Sequence, residues 1–586
     1  MKQYKKYVIP YKSAFILGPI FMIVEVLGEI ILPKLMSMII NYGCGQDVTV
    51  AAKGPAYIIG IGAAMIGTAL LMMMGGVLGA YFAVKASVNF AGDLRRDVFA
   101  KVQKFSFANI EKFSTGSLVT RLTNDITNIQ NVLSMGLRML LRAPGMLIGG
   151  LIMAFLMNAK LALVFCVVIP VLIIALAFVM KTAFPRFDVM QTKIDGLNSR
   201  IQENITNQRV VKSFVRDDFE KETFDRANNE LKDKTLRAMK VVILTMPIMT
   251  LAMNLTVMAV VWFGGQQILI GDMPVGNLTA FTTYVTQILM SLMMVSMIMI
   301  QGSRAMASSH RILEVLDTDI DLNDDNASEK DRLVTSGEIE FKNVCFRYYK
   351  KHKKNVLQSI NFTAKPGEVI GIIGSTGSGK SSLVQLIPRL YDCDEGEVLV
   401  DGVNVKEYSL NHLRDGVAMV LQKNVLFSGS IEENLRWGDE NATMEEIRAA
   451  ADAAQADGFV NAFTDGYNME LGQGGVNVSG GQKQRLCIAR ALLKKPKILI
   501  LDDSTSAVDT ATDAKIRRAF REEIPDTTKL IIAQRVSSIQ NADHIIVMEN
   551  GTINGYGTHD ELMENNEIYR DVYESQTSGS GDFDEM

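Results

Sequence analysis

Hydrophobic positions along the chain fall into two regimes. Before residue 303, six continuous apolar stretches lie near 14–40, 55–84, 136–157, 160–183, 241–269 and 278–301, each long enough to cross about 30 Å of hydrocarbon as a helix. The first is too long for a cleaved leader, carries Glu25 and Glu29 and lacks a small-residue cleavage site, so it is predicted to stay as a span. Segments 86–130 and 185–240 have apolar residues at three- and four-residue spacing with few breakers, which predicts helices extending well beyond the bilayer. After Arg304 the pattern changes. An acidic, polar stretch gives way to short β-rich runs (EIEFKNVCFRY, EVIGIIG, GVAMVL, KILILD, KLIIA, HIIVME) that alternate with helical segments, the pattern of an α/β domain with a mostly parallel sheet. The expected organisation is a six-span α-helical membrane domain over 1–317, a linker over 318–335, an α/β domain over 336–575 and a polar tail over 576–586.

Charge orients the spans. Lys2, Lys5, Lys6 and Lys12 precede the first, and the long connections carry Arg95, Arg96, Lys101, Arg121, Arg200, Arg209 and Lys212, whereas 41–54, 158–160 and 270–277 are nearly free of basic residues. This bias predicts a multi-pass protein of the cell membrane with both termini cytoplasmic. The leader MKQYKKYVIPYK reads either as an interfacial helix or as a plain positive anchor. Within the spans, Glu25 and Glu29 share one helical face, as do Arg138 and Arg142, at comparable depths. Two readings stand: a structural ion-pair cluster, or a cationic-substrate site on Glu25 and Glu29. The Met-rich run at 290–299 likewise reads as packing filler or as an adaptable binding surface.

Composition adds exclusions. The 586 residues are 48% hydrophobic yet 21% charged, an average over one oily and one polar part. A net charge of −4 argues against nucleic acid as a partner. Five scattered cysteines suggest neither a disulfide framework nor a zinc site.

The strongest chemical signal is EVIGIIGSTGSGKSSLVQLI: a strand, then Gly374, Ser375, Thr376, Gly377, Ser378, Gly379, Lys380, Ser381 and Ser382, then a helix. Glycines let backbone amides wrap phosphates, Lys380 is placed for the β/γ phosphates, and Ser381 for Mg²⁺. KILILDD puts Asp502 at a strand end, where an acid holds Mg²⁺. Ser479, Gly480, Gly481 and Gln482 open another helix and form an anion-binding start.

Six spans followed in order by GSTGSGKS, VSGGQ, ILILDD and SAVD resemble a half-transporter of the ATP-binding cassette (ABC) exporter type, over essentially the whole chain. The resemblance implies ATP and Mg²⁺ as cofactors and an obligate dimer, with each ATP between one chain's phosphate loop and the other's signature. It implies that Tyr348 stacks on adenine, that Gln422 contacts Mg²⁺ or water, that Ser506–Asp509 crosses the dimer interface, and that Gln473 stands where the family often has Glu. It likens Gly116–Asp125 and Asn204–Phe214 to coupling helices that dock on the nucleotide domains.

Two departures weaken the site. The family's Glu after the Mg²⁺-binding Asp is Asp503 here, and its switch-loop His is Gln534. Aspartate is a methylene short of the attacking water, and Gln cannot become charged or relay a proton. The signature changes only at Val478. The expected protein is therefore a drug-exporting subunit, resembling the degenerate-site half of heterodimeric bacterial multidrug exporters. A second half-transporter would supply Glu and His, and small hydrophobic or cationic compounds would be the cargo. Alternatives are a lipid or lipopeptide flippase, a slow homodimer, or a sensor that moves no cargo. Six spans oppose a soluble cassette ATPase, and no protease-like N-terminal extension points to leader-peptide processing.

Overall fold

A computed structural model describes residues 2–44, 53–325, 327–348, 354–503 and 508–577. The chain divides into two compact units, one formed by Met1–Lys101 with Gly116–Asp317 and the other by Val102–Thr115 with Thr318–Met586. Residues 578–586 of the polar tail, Ser506 and Ala507 of the expected interface loop, and the side chains of Ser296, Met297 and Met299 in the Met-rich run lie outside the described residues.

Among the described residues the first unit holds six helical stretches apolar and long enough to cross a membrane, from Lys5–Gly43 to Val275–Val295. Its main helices are α1 (Lys12–Met38), α2 (Pro55–Gln103), α3 (Ile126–Met139), α4 (Arg142–Met157), α5 (Ala159–Thr206), α6 (Asp217–Ile243), α7 (Thr245–Leu269) and α8 (Val275–Asp317). Helices α2, α5 and α8 run for 49, 48 and 43 residues, far beyond a bilayer's thickness. Outward faces stay apolar, with Trp262 67% and Leu269 88% exposed, as lipid-facing positions require. Small residues bring backbones together: a Cβ on Gly75 of α2 would lie 2.8 Å from the Phe21 carbonyl of α1. The leader forms short helical turns, and Tyr7 and Lys6 both reach Asp97 of α2.

Polar groups fasten the bundle. Pro33 lacks the N–H that would bond the Glu29 carbonyl one turn back, and Gln287 Nε2 donates to that carbonyl instead at 3.0 Å. Tyr284 Oη donates to the neighbouring Ile30 carbonyl at 2.7 Å. Arg142 spans both acids, 3.0 Å from Glu25 and 2.7 Å from Glu29. Arg138 takes part in neither pair. A two-residue turn at Leu140 and Leu141, both still in the right-handed helical region, separates the end of α3 at Met139 from the start of α4 at Arg142. Deeper along the chain, Asp125 accepts from Ser308 at 2.8 Å and from Arg311, tying the segment before α3 to α8.

In the second unit, strands β1 (Ile339–Phe346), β2 (Leu357–Ala364), β4 (Glu395–Val400) and β5 (Val403–Asn404) form an antiparallel sheet in the order β2-β1-β4-β5. A six-stranded sheet has the order β12-β11-β3-β10-β9-β6, built from β3 (Val369–Gly374), β6 (Val417–Val420), β9 (Ile498–Asp502), β10 (Thr528–Ile532), β11 (His544–Glu549) and β12 (Thr552–Gly557). All pairings in it are parallel except that of β12. β7 (Gly429–Ser430) and β8 (Glu470–Leu471) make a small separate ladder. β9 and β10 are buried at every position, as strands covered on both faces are. The unit also includes Val102–Thr115, which a single cut at residue 317 assigns to the membrane region. Within it the short helix Phe107–Lys112 is capped by Ser106, and Asn109 Nδ2 donates to the Asp319 carbonyl at 3.2 Å. Gly116–Asp125, likened to a docking segment, falls in the first unit, and the segment just before it packs with the second.

Asp401 anchors the start of β1. Its carboxylate accepts from the amides of Thr335, Ser336, Gly337 and Glu338 and from two hydroxyls, at 2.6–3.1 Å. Burial works to raise its pKa, but the Ser336 hydroxyl and the amides outweigh burial and hold it below the ordinary value. A depressed carboxylate stabilises the fold above its unfolded pKa of about 3.9, and that contribution fades as pH falls through the lower folded value. Asp401→Asn is expected to destabilise this unit by about 1–3 kcal/mol at pH 7. The deficit should shrink below about pH 4 as the wild-type carboxylate is itself protonated. Urea unfolding at pH 7 and pH 3 checks both.

Candidate functional site

Four loops leave the carboxyl ends of β3, β6, β9 and β10, the edge where parallel α/β sheets take ligands. After β3 the chain turns through Gly374 (φ 155°), Gly377 (φ 82°) and Gly379 (φ 98°) into α9 (Lys380–Gln385). A Cβ on Gly374 would meet the Met548 carbonyl at 2.2 Å, so only glycine passes there. Lys380 Nζ donates to the carbonyls of Gly374 at 2.7 Å and Ser375 at 2.9 Å, folding the ammonium over the loop. Burial pulls its pKa below the ordinary lysine value, opposed by the charges of Asp503 and Asp502. Ser381 Oγ donates to Asp502 Oδ1 at 2.9 Å, joining the helix start to the end of β9. Burial pushes the Asp502 pKa up against Ser381 and Lys380. Ser378 Oγ is buried and has no hydrogen-bond partner, an acceptor-hungry donor inside the loop.

This donor set fits a polyphosphate with a divalent cation: loop amides, an ammonium, a spare hydroxyl, and a hydroxyl–carboxylate pair. Among the described residues no group of three His, Cys, Asp or Glu side chains forms a metal cage. A cation here would rest on Ser381, Asp502 and the phosphates' own oxygens.

Asp503 follows β9 with φ 48° and is 9% exposed. Its amide donates to the Ile532 carbonyl at 3.2 Å, and Gln484 Nε2 donates to its carbonyl at 3.4 Å. Gln534 Nε2 donates to Asp503 Oδ2 at 2.9 Å. The two departures found in the sequence are thus bonded to one another. Gln422, after β6, is exposed. Tyr348 is pinned, its hydroxyl 2.8 Å from Ser382 Oγ and its ring edge-on to Phe346 and Tyr391. The hydroxyl of Ser382 therefore points to Tyr348, while Tyr391 packs against Phe107 and donates to Glu111 at 3.5 Å.

Ser479 caps α10 (Gly480–Leu493): its hydroxyl accepts from Gln482 N, and Gln482 Oε1 accepts from Ser479 N at 2.9 Å. Ser479 and Gly480 are exposed at the helix start. Asp509 caps α11 (Thr510–Glu523) through Thr512 N at 3.0 Å.

Residues 15–292 match the ABC transporter transmembrane region, and residues 357–506 match the ABC transporter family. The chain belongs to the ABC transporter family. It is 40% identical over 573 residues to an uncharacterized ABC transporter ATP-binding protein of Bacillus subtilis (strain 168), YfiB, covering 98% of each chain. A second relative from that organism, YknU, is 34% identical over 577 residues, with 98% of this chain and 97% of the other covered. In fold the transporter resembles the structure of a bacterial Atm1-family ABC exporter with ATP bound, at a TM-score of 0.78, 23% identity and 99% coverage of both chains. It is a multi-pass membrane protein with an ATP-binding domain.

Several site residues escape sequence reading. Gln484 lies in KQRLCIARALL, where helical spacing places it on the inward face, but its partner is 19 residues away. Tyr391 follows an unremarkable proline–arginine–leucine run, and only the fold brings it to Tyr348.

Proposed function

We propose that this transporter is an ATP-driven export subunit that works as half of a heterodimer. The chain binds ATP and Mg²⁺ at its own phosphate loop and cleaves ATP slowly there, and it lends an intact signature to the partner's site. The Gln534–Asp503 hydrogen bond of 2.9 Å carries this reading. A carboxylate held by an amide and one methylene short is a poor base for an attacking water, and the amide takes no proton from it.

In this reading Lys380 and the loop amides bind the phosphates, Ser381 and Asp502 hold Mg²⁺ with Gln422 beside it, and Tyr348 meets adenine. Ser479–Gln482 faces the partner's ATP, and Asp509 belongs to the loop along the dimer interface. ATP supplies the free energy of closure, and the long cytoplasmic helices convey that closure to the spans. Both termini lie in the cytoplasm. Hydrophobic, often cationic drugs are the cargo, and Glu25 and Glu29, with two carboxylates against one arginine, favour cationic ones.

The chain purified alone and placed in lipid vesicles is the test. Slow ATP turnover, unchanged by drug and by Asp503→Ala, is expected. Brisk, drug-stimulated turnover abolished by Asp503→Ala would sink the proposal.

A further inference from the structure

The C-terminal helix α12 (Glu567–Thr577) is fixed to the core through Tyr569, fully buried with its hydroxyl 2.8 Å from His559 Nδ1. Val572 and Tyr573 pack against the same core. Positions 569, 572, 573 and 576 share one face at helical spacing, a stripe that ordinarily stays apolar. At its last place stands Gln576. Its Nε2 donates to the Gln534 carbonyl at 2.8 Å, and its Oε1 accepts from the Val536 amide at 2.8 Å. One planar amide thus serves two backbone groups on either side of Arg535, as a neighbouring strand would. Val536 is 1% exposed, so water is a poor substitute at that amide.

We propose that Gln576 is a positioning residue for ATP cleavage: by gripping the backbone at 534 and 536 it fixes the point from which the residue 534 side chain reaches Asp503 and the γ-phosphate. This rests on the reading of Gln534 as the switch-loop residue. Because the grip is on backbone, it aims whatever side chain stands at 534. The C-terminal helix thereby becomes part of the site's framework, though it touches no nucleotide.

Two measurements on the full-length chain in lipid nanodiscs decide it. By hydrogen exchange without nucleotide, the Val536 amide should open about tenfold faster in Gln576→Ala. Gln576→Glu, which keeps the acceptor for Val536 but sets a carboxylate oxygen against the Gln534 carbonyl, should restore its protection only in part. Equal exchange in wild type and Gln576→Ala overturns the proposal. The second measurement is ATP turnover in an Asp503→Glu background. There Gln576→Ala should lower kcat about tenfold with KM for ATP within about twofold, and should cost nothing further once Gln534→Ala is present. Independent, multiplying losses from the two substitutions also overturn it. If Asp503→Glu fails to raise turnover, the degenerate-site reading falls, and the exchange result alone decides the grip.

Discussion

Placing Glu at 503 together with His at 534 is expected to raise ATP turnover by the isolated chain by roughly 10²–10⁴-fold, the usual worth of a well-placed general base. The gain follows from how firmly the backbone is held. β9 and β10 pair in register through Ile532 and Asp502, and the Asp503 amide bonds the Ile532 carbonyl. The Asp503 Cα therefore cannot advance to compensate for the missing methylene, and a shortfall of about 1 Å at a reacting atom costs on the order of 100-fold. The Gln534 amide takes one carboxylate oxygen of Asp503. A histidine launched from the same gripped backbone presents a nitrogen that can charge and relay a proton. Each single substitution should recover only part of the gain, because the two groups act as a unit. Each chain carries both motifs that a head-to-tail pair would need, so the measurement is made on this chain alone. Phosphate release from vesicles at saturating ATP and Mg²⁺ gives the answer. If the double variant stays as slow as wild type, the side chains at 503 and 534 are not what limits this site.

What could be read in the sequence depended on how local each signal is. The glycine-rich loop after β3 is legible because strand, glycines, Lys380, Ser381 and helix are contiguous, and one backbone path satisfies all of them. The six spans are legible because hydropathy over some twenty residues averages away detail. That averaging also hides the turn at Leu140 and Leu141 that divides α3 from α4, since those side chains are as apolar as their neighbours. Asp503 and Gln534 stand out singly as departures, yet their hydrogen bond spans 31 residues and needs β9 and β10 side by side. Gln576 leaves almost no trace: a lone polar residue in an amphipathic helix looks like a solvent-facing position until the backbone at Gln534 and Val536 is seen beneath it. Val102–Thr115 reads as more helix, and only long-range packing assigns it to the nucleotide-binding unit.

Arg142→Met should be the most damaging single change in the membrane unit, lowering stability by about 3–5 kcal/mol, because it strands two carboxylates among apolar helices. Arg142 lies 3.0 Å from Glu25 and 2.7 Å from Glu29, and Glu25 Oε2, Glu29 Oε2 and Arg142 Nε are buried with no hydrogen-bond partner. Charge counting then ranks the variants. Glu25→Gln leaves one carboxylate for one guanidinium and should cost little, within about 1 kcal/mol, because the excess negative charge disappears. Adding Glu25→Gln and Glu29→Gln to Arg142→Met removes all three charges of the cluster and should recover most of the lost stability, as whole-cluster replacements do elsewhere. Thermal unfolding midpoints in one lipid mixture at one heating rate give the order. A triple variant no more stable than Arg142→Met would show that packing around the guanidinium, not charge, sets the cost. The same series separates structure from cargo. If Glu25→Gln keeps its midpoint and still exports a cationic dye and a neutral one in the wild-type ratio, the cluster is an ion-pair fastening of α1 to α4. If the cationic dye alone loses flux, the unbalanced carboxylate is the part of the site that cargo reads, because only a cation gains from the charge that Arg142 leaves unmatched.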